Sequence, residues 1–119
     1  MTIWTGPTAD ATIVHMGYLN ADDARGLRER GVVGDILGQF FDAEGKVVEL
    51  PIHDRRIGID LSELTRIPKV VGVAGGLYKA EAILGALHGG FLDVLVTNEL
   101  AAIRLLEIER RRRGHRKRA

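Results

Sequence analysis

The chain has 119 residues, 45% of them hydrophobic and 28% charged, with no cysteine. One domain is expected, large enough to bury about 65% of its unfolded surface, and disulfide and thiolate chemistry are excluded. No run approaches the roughly 18 apolar residues of a membrane span and no signal-peptide pattern stands out, so the cytoplasm is the expected compartment. The formal net charge of +1 hides an asymmetry: Arg110 to Arg118 holds seven cations and no acid, leaving 10 basic residues against 16 acidic ones elsewhere. Residues 1–109 are therefore read as the folded part and 110–119 as a basic tail. A terminal block of one sign is usually a solvated, frayed helix end. A contact to nucleic-acid phosphates is the alternative.

In chain order, a short strand is expected near Thr12–Met16. Asn20 reads as an N-cap with Asp23 as its capping-box partner, opening a helix that buries Ala24 and Leu27 and stops at Gly31. Val32 to Phe41 reads as one β-rich run. Along such a strand Asp35, Leu37, Gln39 and Phe41 would share one face, with Ile36 and Phe40 on the other. Glu44-Gly45 is a turn signal leading to Val47–Leu50, so the two runs predict a hairpin. Asp60 with Glu63 repeats the capping-box logic for a helix of one or two turns that Pro68 ends.

From Lys69 to Leu106 the pattern becomes strand, paired glycine, helix, strand, helix. Val70, Val71 and Val73 predict a strand apolar on both sides, as when helices cover both faces of a parallel sheet. Leu77, Ala80, Ile83, Leu84 and Leu87 recur at helical spacing up to Gly89-Gly90. Val94 to Val96 predict the second strand, and Ala101, Leu105 and Ile108 the inward face of the last helix. The alternation predicts an α/β fold with a mostly parallel sheet and flanking helices. Ligands of such sheets bind at the carboxyl ends of the strands, where Gly75, Gly76, Lys79, Thr97 and Asn98 fall. A lysine in the first turn of a helix opposes the dipole unless an anion sits there, so this join predicts a phosphate or carboxylate site. On a buried face, Asp35 must find donors, and sugar hydroxyls would serve.

Four segments, GVVGDILGQFFDAEGKVVE, DRRIGIDLSEL, IPKVVGVAGGLYKAEAILGALHGG and LDVLVTNELAAIRLL, carry a resemblance over residues 16–106. In that order and spacing the chain resembles the effector-binding, or sugar-binding, domain of SorC-type bacterial transcriptional regulators, a group with DeoR-like relatives. The resemblance implies a fold like part of the sugar-phosphate isomerases and CoA transferases. It implies a phosphorylated sugar or related metabolite as effector, with Asp35, Leu37, Gly75, Gly76 and Lys79 as contacts. Family members also carry a helix-turn-helix and a first half-domain with a phosphate loop, which do not match here. The family usually has Asp where this chain has Asn98, and the basic extension lies outside the pattern.

Catalytic and metal patterns fail. His15, His53, His88 and His115 lack metal-ligand spacing, and there is no GxSxG, Walker or full GxGxxG motif. Asp54, Arg55 and Arg56 read as a surface ion-pair cluster. The expectation is the C-terminal part of a regulator's effector domain, without cofactor, metal or catalytic residue. No membrane contact and no sequence-specific DNA binding by this chain alone are expected. An unfinished sheet edge and apolar surface from Val73, Val94 and Val96 predict a homo-oligomer. Alternatives are a sugar-phosphate isomerase-like enzyme and a fragment acting only through oligomer contacts.

Overall fold

The computed structural model describes residues 3–5, 16–17, 19–50, 54 and 56–118. The strand expected near Thr12–Met16 lies outside these residues except for Met16, which is in an exposed turn. The first described strand is β1 (Ile3–Thr5). Helix α1 (Ala21–Glu29) opens as its sequence predicts. The Asn20 side chain accepts from the Asp23 N–H at 2.8 Å, and the Asp23 carboxylate accepts from the Asn20 N–H at 3.2 Å. Gly31 follows the helix at φ 83°.

The run from Val32 to Phe41 is two strands rather than one. Strand β2 (Val32–Ile36) turns through Leu37 and Gly38 into β3 (Gln39–Asp42), and β1, β2 and β3 form an antiparallel sheet in that order. Leu37 at φ 53° and Gly38 at φ 78° are both left-handed, the backbone that lets a two-residue turn follow the twist of its strands. The expected face-sharing fails for the same reason: Asp35 now sits opposite Phe40. The Glu44-Gly45 turn does form, closed by Gly45 N–H to Asp42 C=O at 2.9 Å and Asp42 N–H to Lys46 C=O at 2.9 Å. Beyond it, among the described residues, the chain pairs with β3 through one bridge, Phe41 to Val47, and the Val48 N–H donates to the Phe40 carbonyl at 2.9 Å.

Helix α2 (Leu61–Leu64) is one turn, with the Asp60 N–H donating to Glu63 Oε2 at 3.0 Å. Strand β4 (Val71–Val73) and strand β5 (Val94–Val96) pair in parallel. Between them a 3-10 turn over Leu77–Lys79 leads into α3 (Ala80–His88). The last helix, α4 (Glu99–Arg118), runs unbroken for 20 residues and carries the basic segment within it. The α/β character holds, but the mostly parallel sheet does not: three strands are antiparallel and two are parallel, in separate sheets. A two-residue turn can join only antiparallel neighbours, and the Leu37-Gly38 pair supplies one.

The main core joins both sheets to α2, α3 and α4 through Ile36, Phe41, Leu61, Ile83, Phe91, Ala101 and Leu105, and a second cluster of Leu27, Val32 and Phe40 seats α1 on the antiparallel sheet. At the edge of the main core, backbone meets backbone. A Cβ on Gly45 would overlap Gly89 at the end of α3, so the β3 turn and the helix end meet without side chains between them. The outer face of the parallel pair is open instead. Val71, Val73, Val94 and Val96 are 40 to 53% exposed, against the expectation that helices cover both faces. Helix α3, with Ala80, Ile83 and Leu84 buried, packs instead against the antiparallel sheet and α4.

Candidate functional site

The site is built from the β2–β3 turn, the 3-10 turn and the carboxyl ends of β4 and β5. Asp35 is 8% exposed, and burial pushes its carboxyl up to about 6. Two weaker influences pull the other way: the Gly38 N–H, which donates to Asp35 Oδ2 at 3.3 Å, and the positive charge of Lys79. The two residues that the sequence singled out for hydroxyl and anion contact thus come within electrostatic reach of each other. They are 44 positions apart and on different elements, with the 3-10 turn packed against β1 beside β2. Leu37, at the head of the turn, is 43% exposed and the only non-glycine with positive φ among the described residues. Such backbone costs about 1–3 kcal/mol and persists where the surroundings impose it.

The glycine pair is placed differently from a simple helix start. Gly76 takes φ 106° and its N–H donates to Asn98 Oδ1 at 3.2 Å. The Lys79 N–H closes the 3-10 turn on the Gly76 carbonyl at 3.1 Å. Lys79 therefore sits at the junction of the 3-10 turn and α3, half-buried, rather than in the first turn of an α-helix as expected. Leu77, expected on the buried stripe, is 53% exposed. Asn98 has a defined role: the same Oδ1 also accepts the Ala101 N–H at 3.2 Å, which caps α4. An amide oxygen serves that purpose as a carboxylate would. Neighbouring Thr97 has a buried hydroxyl with no hydrogen-bond partner among the described residues.

Arg56 was missed by the sequence reading and corrects it. Its side chain is 12% exposed, not part of a surface cluster, while Asp54 is exposed and Arg55 lies outside the described residues. It donates to the Ile59 carbonyl at 2.9 Å and to Asp60 Oδ1 at 2.7 Å, and its stem lies against Gly38. Gln39, also unassigned, is buried and accepts the Leu61 N–H at 2.7 Å. Together they brace the β2–β3 turn against α2. The signal for Arg56 was weak, because nothing in an Asp-Arg-Arg run tells which arginine turns inward. Among the described residues, no group of three or more His, Asp or Glu side chains could hold a metal ion. No helix among them is long and apolar enough to cross a membrane.

The family model described as "Putative sugar-binding domain" matches residues 6–107. The chain belongs to that sugar-binding domain family. It is 44% identical over 100 residues to the transcriptional regulator LsrR of Enterobacter sp. (strain 638), a match covering 83% of this chain and 31% of that protein. Among solved structures it is similar to a DeoR family transcriptional regulator from Listeria monocytogenes, with a TM-score of 0.79 and 39% identity over 87% of this chain and 42% of that one. It is also similar to the full-length sorbitol operon regulator SorC from Klebsiella pneumoniae, with a TM-score of 0.75 and 31% identity over 87% of this chain and 33% of that one. The chain spans about a third of the length of the LsrR relative. The resemblance to SorC- and DeoR-type sugar-binding domains is thereby established, and the relatives are regulators rather than enzymes. The paired glycines, Lys79, Asp35 and Leu37 all fall within the matched span.

Proposed function

We propose that this chain is the effector-binding portion of a SorC-type regulator and that it senses a phosphorylated sugar in the cytoplasm. The observation that carries this is the approach of Lys79 to buried Asp35, one group suited to a phosphate and the other to hydroxyls. Lys79 with the Gly75–Gly76 turn holds the anion, and Asp35 and Leu37 face the sugar. The left-handed Leu37 and the unpartnered Thr97 hydroxyl support a pocket shaped for something polar. The parallel β4–α3–β5–α4 unit supports reading the fold as part of a sugar-phosphate isomerase-like one. Calorimetric titration with a panel of phosphosugars tests the reading. Binding by the wild type that Lys79→Ala weakens supports it; clear binding that Lys79→Ala leaves untouched places the ligand elsewhere.

We also propose that the chain acts as a homo-oligomer. The support is the open face of Val71, Val73, Val94 and Val96, an apolar patch on a two-stranded parallel sheet. Patches of that kind favour a partner surface. Light scattering at tens of micromolar tests it: a dimer or higher species that Val96→Lys returns to monomer is expected, and a monodisperse wild-type monomer overturns it.

A further inference from the structure

The basic segment is the part of the chain that the effector site does not use. It lies beyond the family match, which ends at residue 107, and continues a helix that is held against the body. Helix α4 continues through Arg118, and its middle is clamped to the body. Arg112 donates to the Ala43 carbonyl at 3.2 Å and pairs with Glu44. Glu109 accepts from His88 Nε2 at 3.1 Å and from Arg113 Nε at 3.0 Å. These residues and Arg116 line a cavity of about 280 Å³ between the β3 turn, α3 and α4. The clamp leaves Arg110, Arg111, Arg113, Arg116, Lys117 and Arg118 exposed, and among the described residues only Arg113 of these is in an ion pair.

We infer that the outer turns of α4 are a contact surface for the phosphate backbone of duplex DNA, read by charge and not by base sequence. The match is one of charge density. Arg110 to Arg118 spans about 12 Å of helix axis, so the six exposed cations give about one charge per 2 Å, against one phosphate per ~1.7 Å of duplex. Like charges three and four apart, such as Arg110 with Arg113 and Arg113 with Lys117, repel each other until a polyanion neutralises them. The rest of the chain, with 10 basic and 16 acidic residues, is repelled by the same duplex, which leaves the arm as the part that docks. A lipid surface fits less well. From Glu109 to Arg118 there is no apolar side chain to enter a bilayer, and interfacial helices need one apolar face.

Fluorescence anisotropy of two unrelated labelled 20-base-pair duplexes, titrated with the whole chain over a potassium chloride series, tests this. Four phosphate contacts or one fewer predict that affinity falls about 40- to 150-fold between 50 and 200 mM salt, equally for both duplexes. The variant R110Q/R111Q/R116Q/K117Q keeps the Arg112 and Arg113 clamp; it is expected to bind at least tenfold more weakly at 50 mM, with a flatter salt slope. Should that variant fold poorly by circular dichroism, Arg110→Gln and Arg116→Gln singly are expected to reduce the slope by about 0.9 each. No wild-type binding at 25 mM salt overturns the inference, as does a slope unchanged in the variants. Preference for one duplex at 150 mM overturns readout by charge alone. Binding to phosphatidylserine vesicles without binding to DNA assigns the arm to membranes and overturns it as well.

Discussion

Lys79 lowers the pKa of a carboxyl that burial raises, and the carboxyl is that of Asp35, 44 residues earlier in the chain. Burial dominates, so Asp35 titrates near 6. Loss of Lys79 therefore has two expected effects. Affinity for a phosphosugar falls roughly ten- to a hundredfold in Lys79→Ala, the equivalent of about 1.5–3 kcal/mol for a charge-assisted contact. The Asp35 carboxyl also moves further upward. Titration calorimetry reads the first and the carbonyl shift of Asp35 by NMR reads the second. Lys79→Glu loses more affinity, since it sets a like charge beside the phosphate.

The pH dependence of stability has a defined sign. A buried carboxyl with a raised pKa binds its proton more tightly when folded, so the native state holds more protons than the unfolded chain between about pH 4 and 6. Stability contributed by neutral Asp35 is present below the unfolded pKa of 3.8 and is lost as pH rises toward about 6. Asp35→Asn removes that loss. Denaturant melts are expected to show the variant more stable than wild type at pH 7, by about 2–3 kcal/mol at most, with the difference shrinking toward pH 4. The same variant is expected to weaken discrimination among sugars while sparing phosphate binding.

Asn98 joins two elements through one oxygen, which accepts from both Gly76 and Ala101. Asn98→Ala is expected to cost about 1–2 kcal/mol by thermal melt, from a lost cap and a stranded Gly76 N–H. Asn98→Asp keeps both bonds and places a negative charge at a helix N-terminus. It is expected to match or exceed the wild type.

Two glycines separate backbone strain from close approach. Gly45 at φ 80° and Gly90 at φ 71° are both left-handed, but only Gly45 faces a backbone that a Cβ would meet. Gly90→Ala is expected to cost about 1–2 kcal/mol for its conformation alone. Gly45→Ala adds the overlap with Gly89 and is expected to cost more. Paired thermal melts of the two variants check the order.

What was legible in the sequence followed from local chemistry. Both capping boxes have their expected partners because a side chain three residues away can reach its own N-cap. The parallel pair and the inward face of α4 followed from spacing. The hairpin at Leu37-Gly38 was not legible, since a leucine at positive φ contradicts the preference of its own side chain. That turn decides where Asp35 points, so the strand-face argument for it was wrong even though the residue is buried. That Asp35 lies within electrostatic reach of Lys79 depends on how the 3-10 turn packs against β1 beside β2, which no local pattern states. Arg56 turned inward for a similar reason: its partners, Ile59 and Asp60, lie close in sequence, but the space that buries it is made by Gly38.

Helix α4 is a beam mounted at two points. Its root is pinned where Asn98 also holds the Gly76 turn, and its midpoint is pinned by Arg112 on the Ala43 carbonyl. The mounts are about 21 Å apart along the axis and the overhang beyond the second is about 9 Å. The first mount stands on the glycine turn beside Lys79, and the second on the loop that follows β3. A beam so mounted cannot tilt without moving one support against the other. The heading of its charged tip is therefore fixed by the spacing of two places 33 residues apart in the chain, Ala43 and Gly76, one at each support.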